Sequence, residues 1–137
     1  MSLFVDSSVW YAAIDSRDRR NARARAVLKL EDPLVTTDHV LVETWLLLNS
    51  RFDQRRADGF WEGVRRSGVT IESVGAADLE AAWAKGESFS DQEFSIVDRT
   101  SFAVMERLGI HRVASFDRDF SVYRFGPRRD RAFTVLN

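Results

Sequence analysis

A chain of 137 residues with 45 % hydrophobic and 12 % aromatic content can bury a substantial core, which excludes a disordered segment. The formal net charge of −1 carries no message about nucleic acid by itself, and the absence of cysteine excludes disulfide staples and thiolate metal sites. No apolar run approaches the roughly 20 residues that span a bilayer, and the amino terminus shows no signal-peptide pattern, so a soluble, cytoplasmic chain forming a single domain over 1–137 is expected.

The chain opens on Leu3-Phe4-Val5, a continuous apolar run that suits a strand covered on both faces. Ser7 or Ser8 is expected to cap a helix carrying Val9, Trp10, Ala12, Ala13 and Ile14. A second helix is expected over Asn21 to Leu30, with Ala22, Ala26, Val27 and Leu30 on one face, ended by Asp32-Pro33. Leu34 to Thr37 reads as the second strand, and Thr37 or Asp38 caps a strong helix over His39 to Asn49. Gln54 to Arg66 predicts a helix with Phe60, Trp61 and Val64 inward. Ser67-Gly68 closes it, and Val69 to Ile71 forms a strand. Ala76 to Lys85 is predicted helical and Gly86 to Glu93 a polar loop. Ser95 to Leu108 is a second strong helix stopped by Gly109. Arg112 to Phe116 reads as a strand, Gly126 to Arg131 as a basic turn, and Phe133 to Leu136 as a last strand. Strands alternating with helices predict an α/β sandwich with a largely parallel sheet.

Four acids interrupt this pattern. Asp6 ends the first strand and Asp117 follows the apolar strand before it, so in a parallel sheet both emerge at the same edge, where open α/β sheets bind ligands. Asp119 lies two residues further and points the same way if the chain stays extended. Glu43 sits inside Val40-Leu41-Val42-Glu43-Thr44-Trp45-Leu46, where an unpaired carboxylate is costly. Asp98 shares a helix face with Phe94, Ser101, Phe102 and Met105. Each acid also has a structural explanation: a helix cap for Asp6, an arginine or His39 partner for Glu43, a favoured first-turn position for Asp98, an Asp-rich turn for Asp117. Together they suit one or two hard divalent cations, Mg²⁺ or Mn²⁺, and phosphodiester hydrolysis. The base set is almost all arginine, in clusters at Arg17 to Arg25, Arg51 to Arg56, Arg65 and Arg66, and Arg124 to Arg131, a residue suited to phosphate.

The stretches Phe4-Val5-Asp6-Ser7-Ser8, VLVETWLLLN around Glu43, FSIVDRTSFAVMERLGI around Asp98 and SFDRDF at Asp117 resemble, in order and over essentially the whole chain, a PIN domain, and within it the VapC ribonuclease toxins. The resemblance implies a PIN-like three-layer α/β/α sandwich and Mg²⁺- or Mn²⁺-dependent endoribonuclease activity on structured RNA of the translation machinery, a tRNA or rRNA loop. It implies an acidic quartet of Asp6, Glu43, Asp98 and Asp117, with Asp6, Asp98 and Asp117 holding the metal and Glu43 completing the shell or orienting water. Asp119, Ser7 and Ser101 match supporting positions, and Asp91 adds an acid nearby. It further implies a homodimer and a cognate antitoxin protein. The alternatives are a DNA-directed nuclease, a phospho-acceptor domain, disfavoured because Lys29 and Lys85 lie in predicted helices, and a catalytically silent binding module.

Overall fold

The computed structural model describes residues 1–30 and 32–137. Five strands, β1 (Leu3–Val5), β2 (Leu34–Thr37), β3 (Thr70–Glu72), β4 (Arg112–Ala114) and β5 (Thr134–Leu136), form one sheet in the order β3-β2-β1-β4-β5. Every pairing is parallel. The helices among the described residues are α1 (Ser7–Ile14), α2 (Asn21–Leu28), α3 (Asp38–Arg51), α4 (Gln54–Arg66), α5 (Ala76–Ser88), α6 (Ile96–Leu108) and the short α7 (Asp119–Val122). None is long and apolar enough to cross a membrane.

This order fixes where a ligand can sit. From β1 the chain moves outward one way through β2 to β3, then crosses back to β4 and continues the other way to β5. Crossovers between parallel strands are right-handed, so α1 to α4 cover one face and α5 to α7 the other. The direction reverses between β1 and β4, and the crevice beyond their carboxyl ends is the ligand position of an open parallel sheet. Central β1 is covered on both faces, which explains why Leu3, Phe4 and Val5 are all apolar and fully buried.

Packing anchors the helices that border the crevice. Phe102 of α6 stacks on Tyr123 at 4.1 Å between ring centres and meets Phe94, Phe120 and Phe133 in an aromatic cluster. That cluster holds the first half of α6 against the sheet, and with it Asp98. On the opposite face Trp10 meets Phe60 edge-on, and its indole N–H donates to Thr36 Oγ1 at 3.3 Å, tying α1 to β2. Gly109 takes the left-handed conformation at φ 67°, which ends α6 as predicted.

Several expectations are corrected. The N-cap of α1 is Asp6, not Ser7 or Ser8. Helix α2 stops at Leu28, and its buried residue is Ala24, because α2 turns a different face inward from the one its alanines suggest. Trp61 is exposed, and Ala57, Phe60 and Val64 form the buried face of α4, a clean three- and four-residue repeat. Helix α5 runs on through Gly86 to Ser88, which shortens the expected loop by three residues. Strand β4 stops at Ala114, and Asp119 begins a helix instead of extending the chain.

Candidate functional site

The site grows from the register of β1 and β4. Val5 pairs with Ala114, so Asp6 and Ser115 leave the sheet side by side. The Asp6 backbone N–H donates to the Ala114 carbonyl at 3.0 Å, continuing the ladder one step past the strand. The Asp6 carboxylate is 1 % exposed. It accepts from Ser8 Oγ at 2.8 Å, from Ser115 Oγ at 3.0 Å and, more weakly, from the Ser8 backbone N–H at 3.4 Å and Ser7 Oγ at 3.5 Å. All these donors are neutral. Burial therefore wins over hydrogen bonding, and the Asp6 carboxyl is pushed above the usual carboxylate range.

Asp98 enters from the first turn of α6, which Ser95 caps by accepting from the Asp98 backbone N–H at 3.1 Å. It is 6 % exposed. Burial first, then the charges of Asp6 and Asp117 and a hydrogen bond to Asp119, push it up to about 8. Asp119 accepts that bond and is itself raised, by burial and by Asp117. Asp117 is set by the Ser115 turn: its N–H donates to Ser115 Oγ at 3.0 Å, and its own carboxylate accepts from the Asp119 N–H at 2.9 Å. Carboxylate oxygens of Asp98, Asp117 and Asp119 all lie within 4.8 Å of one another. Glu43, on α3, is half-buried. Burial and the charges of Asp6 and Asp117 raise its carboxyl, with the Ser7 hydroxyl as partial compensation.

Five acids from β1, α3, α6 and the segment after β4 thus face one crevice. None of the ion pairs among the described residues reaches any of them. The structural explanation of Asp6 is half right, since it both caps α1 and faces the crevice. Among the described residues Glu43 has no arginine partner, and Asp98, as buried as the first-turn acid Asp78 of α5, lacks the arginine that pairs with Asp78. Ser101 lies one turn beyond Asp98, fully buried, and its hydroxyl oxygen has no hydrogen-bond partner. Asp91 is exposed, contacts Gln92 at 3.4 Å and joins no cluster of the site.

Ser8 and Ser115 are the residues that sequence reasoning missed as supports of the site. Ser115 carried a usable signal: a hydroxyl directly after an apolar strand, abreast of Asp6 if the two strands pair in parallel. The arginine clusters divide. Arg65 and Arg66 pair with Glu62, and Arg112 with Asp32. Arg124 donates to the carbonyls of Ser121, Val122 and Tyr123. Arg20 instead stacks over Phe116, the neighbour of Asp117, at 4.8 Å, and Arg118 is close enough to Asp119 to favour its charge.

A buried cluster of acids at the switch point of a parallel sheet is an arrangement whose oxygen donors suit a hard divalent cation. Residues 3–126 match the model of the PIN domain, and the chain belongs to that family. Among curated proteins it is 41 % identical over 125 residues to the 23S rRNA-specific endonuclease VapC20 of Mycobacterium tuberculosis, covering 90 % of this chain and 95 % of that one. The crystal structure of that Mycobacterium tuberculosis protein, described as a Sarcin-Ricin loop cleaving toxin, superposes with a TM-score of 0.82 and 38 % identity over 88 % of this chain and 93 % of the other. The fold is also that of FitAcB from Neisseria gonorrhoeae (TM-score 0.64, 17 % identity, 100 % and 97 % covered) and VapBC2 from Rickettsia felis (TM-score 0.62, 9 % identity, 98 % and 97 % covered).

Proposed function

We propose that the protein is a metal-dependent endoribonuclease toxin of the VapC type that cleaves a structured loop of ribosomal RNA. The observation that carries this reading is the convergence of Asp6, Glu43, Asp98, Asp117 and Asp119 on one crevice, with none of the five in an ion pair among the described residues. The high identity to a 23S rRNA-specific endonuclease over nearly both full lengths supports the substrate class.

The donor set fits a hard divalent cation. Every candidate ligand is a carboxylate or hydroxyl oxygen, and the partnerless Ser101 oxygen lies on the same face of α6 as Asp98. Asp98, Asp117 and Asp119, whose oxygens lie together, would hold the metal with Asp6 beside them, Asp6, Asp98 and Asp117 being the ligands that the family resemblance implies. When bound, Mg²⁺ or Mn²⁺ supplies charge neutralisation and activation of water at neutral pH. Ser8 and Ser115 lock the Asp6 carboxylate, and the Ser7 hydroxyl steadies Glu43. Glu43, at the rim, orients the attacking water. Arg20 and Arg118 hold RNA phosphates against the crevice.

The chain acts as one nuclease domain over 1–137, in the cytoplasm, as a homodimer restrained by a cognate antitoxin whose tail covers the acids. The test is incubation of the purified protein with 23S rRNA in Mg²⁺, in Mn²⁺ and in EDTA, followed by sequencing of the new RNA ends. A single cleavage position that requires the metal, and that disappears in Asp6→Asn and Asp98→Asn with the fold intact, is the expected result. Undiminished cleavage by both variants rejects the site.

A further inference from the structure

A pocket of ≈ 350 Å³ that the acids do not use lies between the last turns of α5 and the start of α6. It is lined by Trp83, Gly86, Glu87, Gln92, Phe94 and Arg99. Trp83 is 66 % exposed, which leaves its indole face open to a ligand. Arg99 directly follows Asp98, so the pocket and the acidic centre share the first turn of α6.

Arg99 forms no ion pair among the described residues, and its hydrogen bond is a long one from Nε to the Ser95 carbonyl, 3.4 Å. Its guanidinium rests on Gly86, where any Cβ would overlap Nη1. A glycine two residues from the end of α5 weakens the helix. A side chain at this position would push the Arg99 guanidinium out of its present seat.

We infer that this pocket is a nucleobase subsite, in which a nucleotide flanking the scissile phosphate stacks its base on Trp83 and places its phosphate against Arg99. This rests on the RNA-nuclease reading above and names how the strand is gripped. Each wall has matching chemistry. The indole face accepts any base by stacking. The guanidinium fork fits phosphate. Gln92 and Glu87 add an amide and a carboxylate at the rim, able to meet a base edge. A carboxylate accepts two parallel N–H bonds from guanine, whereas uracil offers one N–H between two repelling carbonyls. The subsite therefore prefers guanine to uracil.

The experiment measures binding of fluorescein-labelled G-, A-, C- and U-pentaribonucleotides by anisotropy in the Asp98→Asn background, where turnover does not blur the signal. Trp83→Ala should weaken binding of the G-oligonucleotide by roughly tenfold, the usual scale for loss of one stacked base, and Gly86→Ala, which displaces Arg99, should weaken it as well. The control Leu79→Ala, on an exposed part of α5, should not. Gly86→Ala also separates displaced Arg99 from misfolding, because alanine raises helix stability and the thermal midpoint should rise while affinity falls. In otherwise native protein the same two changes should raise KM and leave kcat nearly unchanged. Unaltered affinity and KM in both variants overturns the proposal. So does a shift from dimer to monomer in Trp83→Ala at constant RNA affinity, which makes the pocket a subunit contact. If the wild-type chain cleaves no RNA, the nuclease reading fails, and the anisotropy series still decides the pocket.

Discussion

Ser115 Oγ donates to Asp6 Oδ2 at 3.0 Å across the boundary between β1 and β4, and the same oxygen accepts from the Asp117 N–H at 3.0 Å. One hydroxyl thus sets two acids at once: the rotamer of Asp6 and the backbone turn that aims Asp117. Its neighbour Ser8 repeats the device, donating to Asp6 at 2.8 Å and accepting from the Phe116 N–H at 2.9 Å.

Ser115→Ala should therefore lower divalent-metal affinity by about 10- to 100-fold, the scale seen when a group that orients a metal ligand is removed. The helix and sheet content should survive, since the change removes only one oxygen. Titration calorimetry with Mn²⁺ checks the affinity, and circular dichroism the fold. A variant that binds Mn²⁺ as the native chain does would show that Asp6 needs no such anchor.

The crowded carboxyls make metal-free stability depend on pH in an unusual direction. Asp98 holds its proton up to about 8 in the folded chain, against 3.8 unfolded. Below the lower value both states are protonated and the folded chain suffers no penalty. Between the two values the unfolded chain releases its proton while the folded chain keeps it, so stability falls as pH rises. Asp6, Glu43 and Asp119 are raised too and act in the same sense. The lowered Asp78 acts in the opposite sense, but only as pH drops through its own folded value, below 3.8. In EDTA the thermal midpoint should thus be higher at pH 5 than at pH 8. Asp98→Asn should flatten much of that slope, and saturating Mn²⁺ should raise the midpoint most at pH 8. Differential scanning calorimetry across this range reads all three effects. A metal-free midpoint that climbs from pH 5 to pH 8 would contradict the crowding.

Away from the crevice, Asp78 accepts from Arg107 Nε at 2.9 Å and Nη2 at 3.1 Å, and from the Gly75 N–H at 3.1 Å. It caps the start of α5 and joins α5 to α6 with one side chain, and Arg107 holds it well below the usual carboxylate range. Asp78→Ala removes both functions and should cost about 1–3 kcal/mol of stability. Chemical denaturation measures the loss. Cleavage at a temperature where the variant stays folded should be unchanged.

Much of this arrangement was legible in the residues. Strands with a continuous apolar run and helices with strong caps were placed almost to the residue, because Leu3 to Val5 and Ile96 to Leu108 carry local signals that agree with their burial. The acids were legible as exceptions to that pattern. What escaped was set by tertiary packing. No periodicity distinguishes Ala24 from Ala22 until α2 lies against α1. The exposed Trp61 contradicts its own hydropathy. Gly86 reads as a helix stop until Arg99 is seen resting on it. The supporting role of Ser115 needs the β1–β4 register, which a sequence does not state. Asp91 shows the reverse error, since nearness along the chain to Asp98 did not bring it to the cluster.

The arginines offer a last separation between decoration and substrate contact. Arg65 and Arg66 both face Glu62, at 2.9 Å and 2.7 Å, on an exposed stretch of α4. Such pairs contribute little and leave little charge for a phosphate. Arg20 lies over Phe116 beside the acidic crevice, and its one ion pair among the described residues, to Asp18 at 3.4 Å, leaves most of its donors unused. Arg118 lies between Asp117 and Asp119 in the chain and forms no ion pair among the described residues. Each phosphate contact releases counterions, so each adds close to one unit to the slope of log affinity against log salt. Arg20→Ala and Arg118→Ala should each weaken RNA binding and reduce that slope by about 0.7 to 0.9. Arg65→Ala should change neither. Measuring affinity for the same RNA from low to high salt, with all three variants side by side, shows whether the strand runs over the carboxyl ends of β1 and β4. An equal effect from Arg65 would mean that it crosses α4 instead.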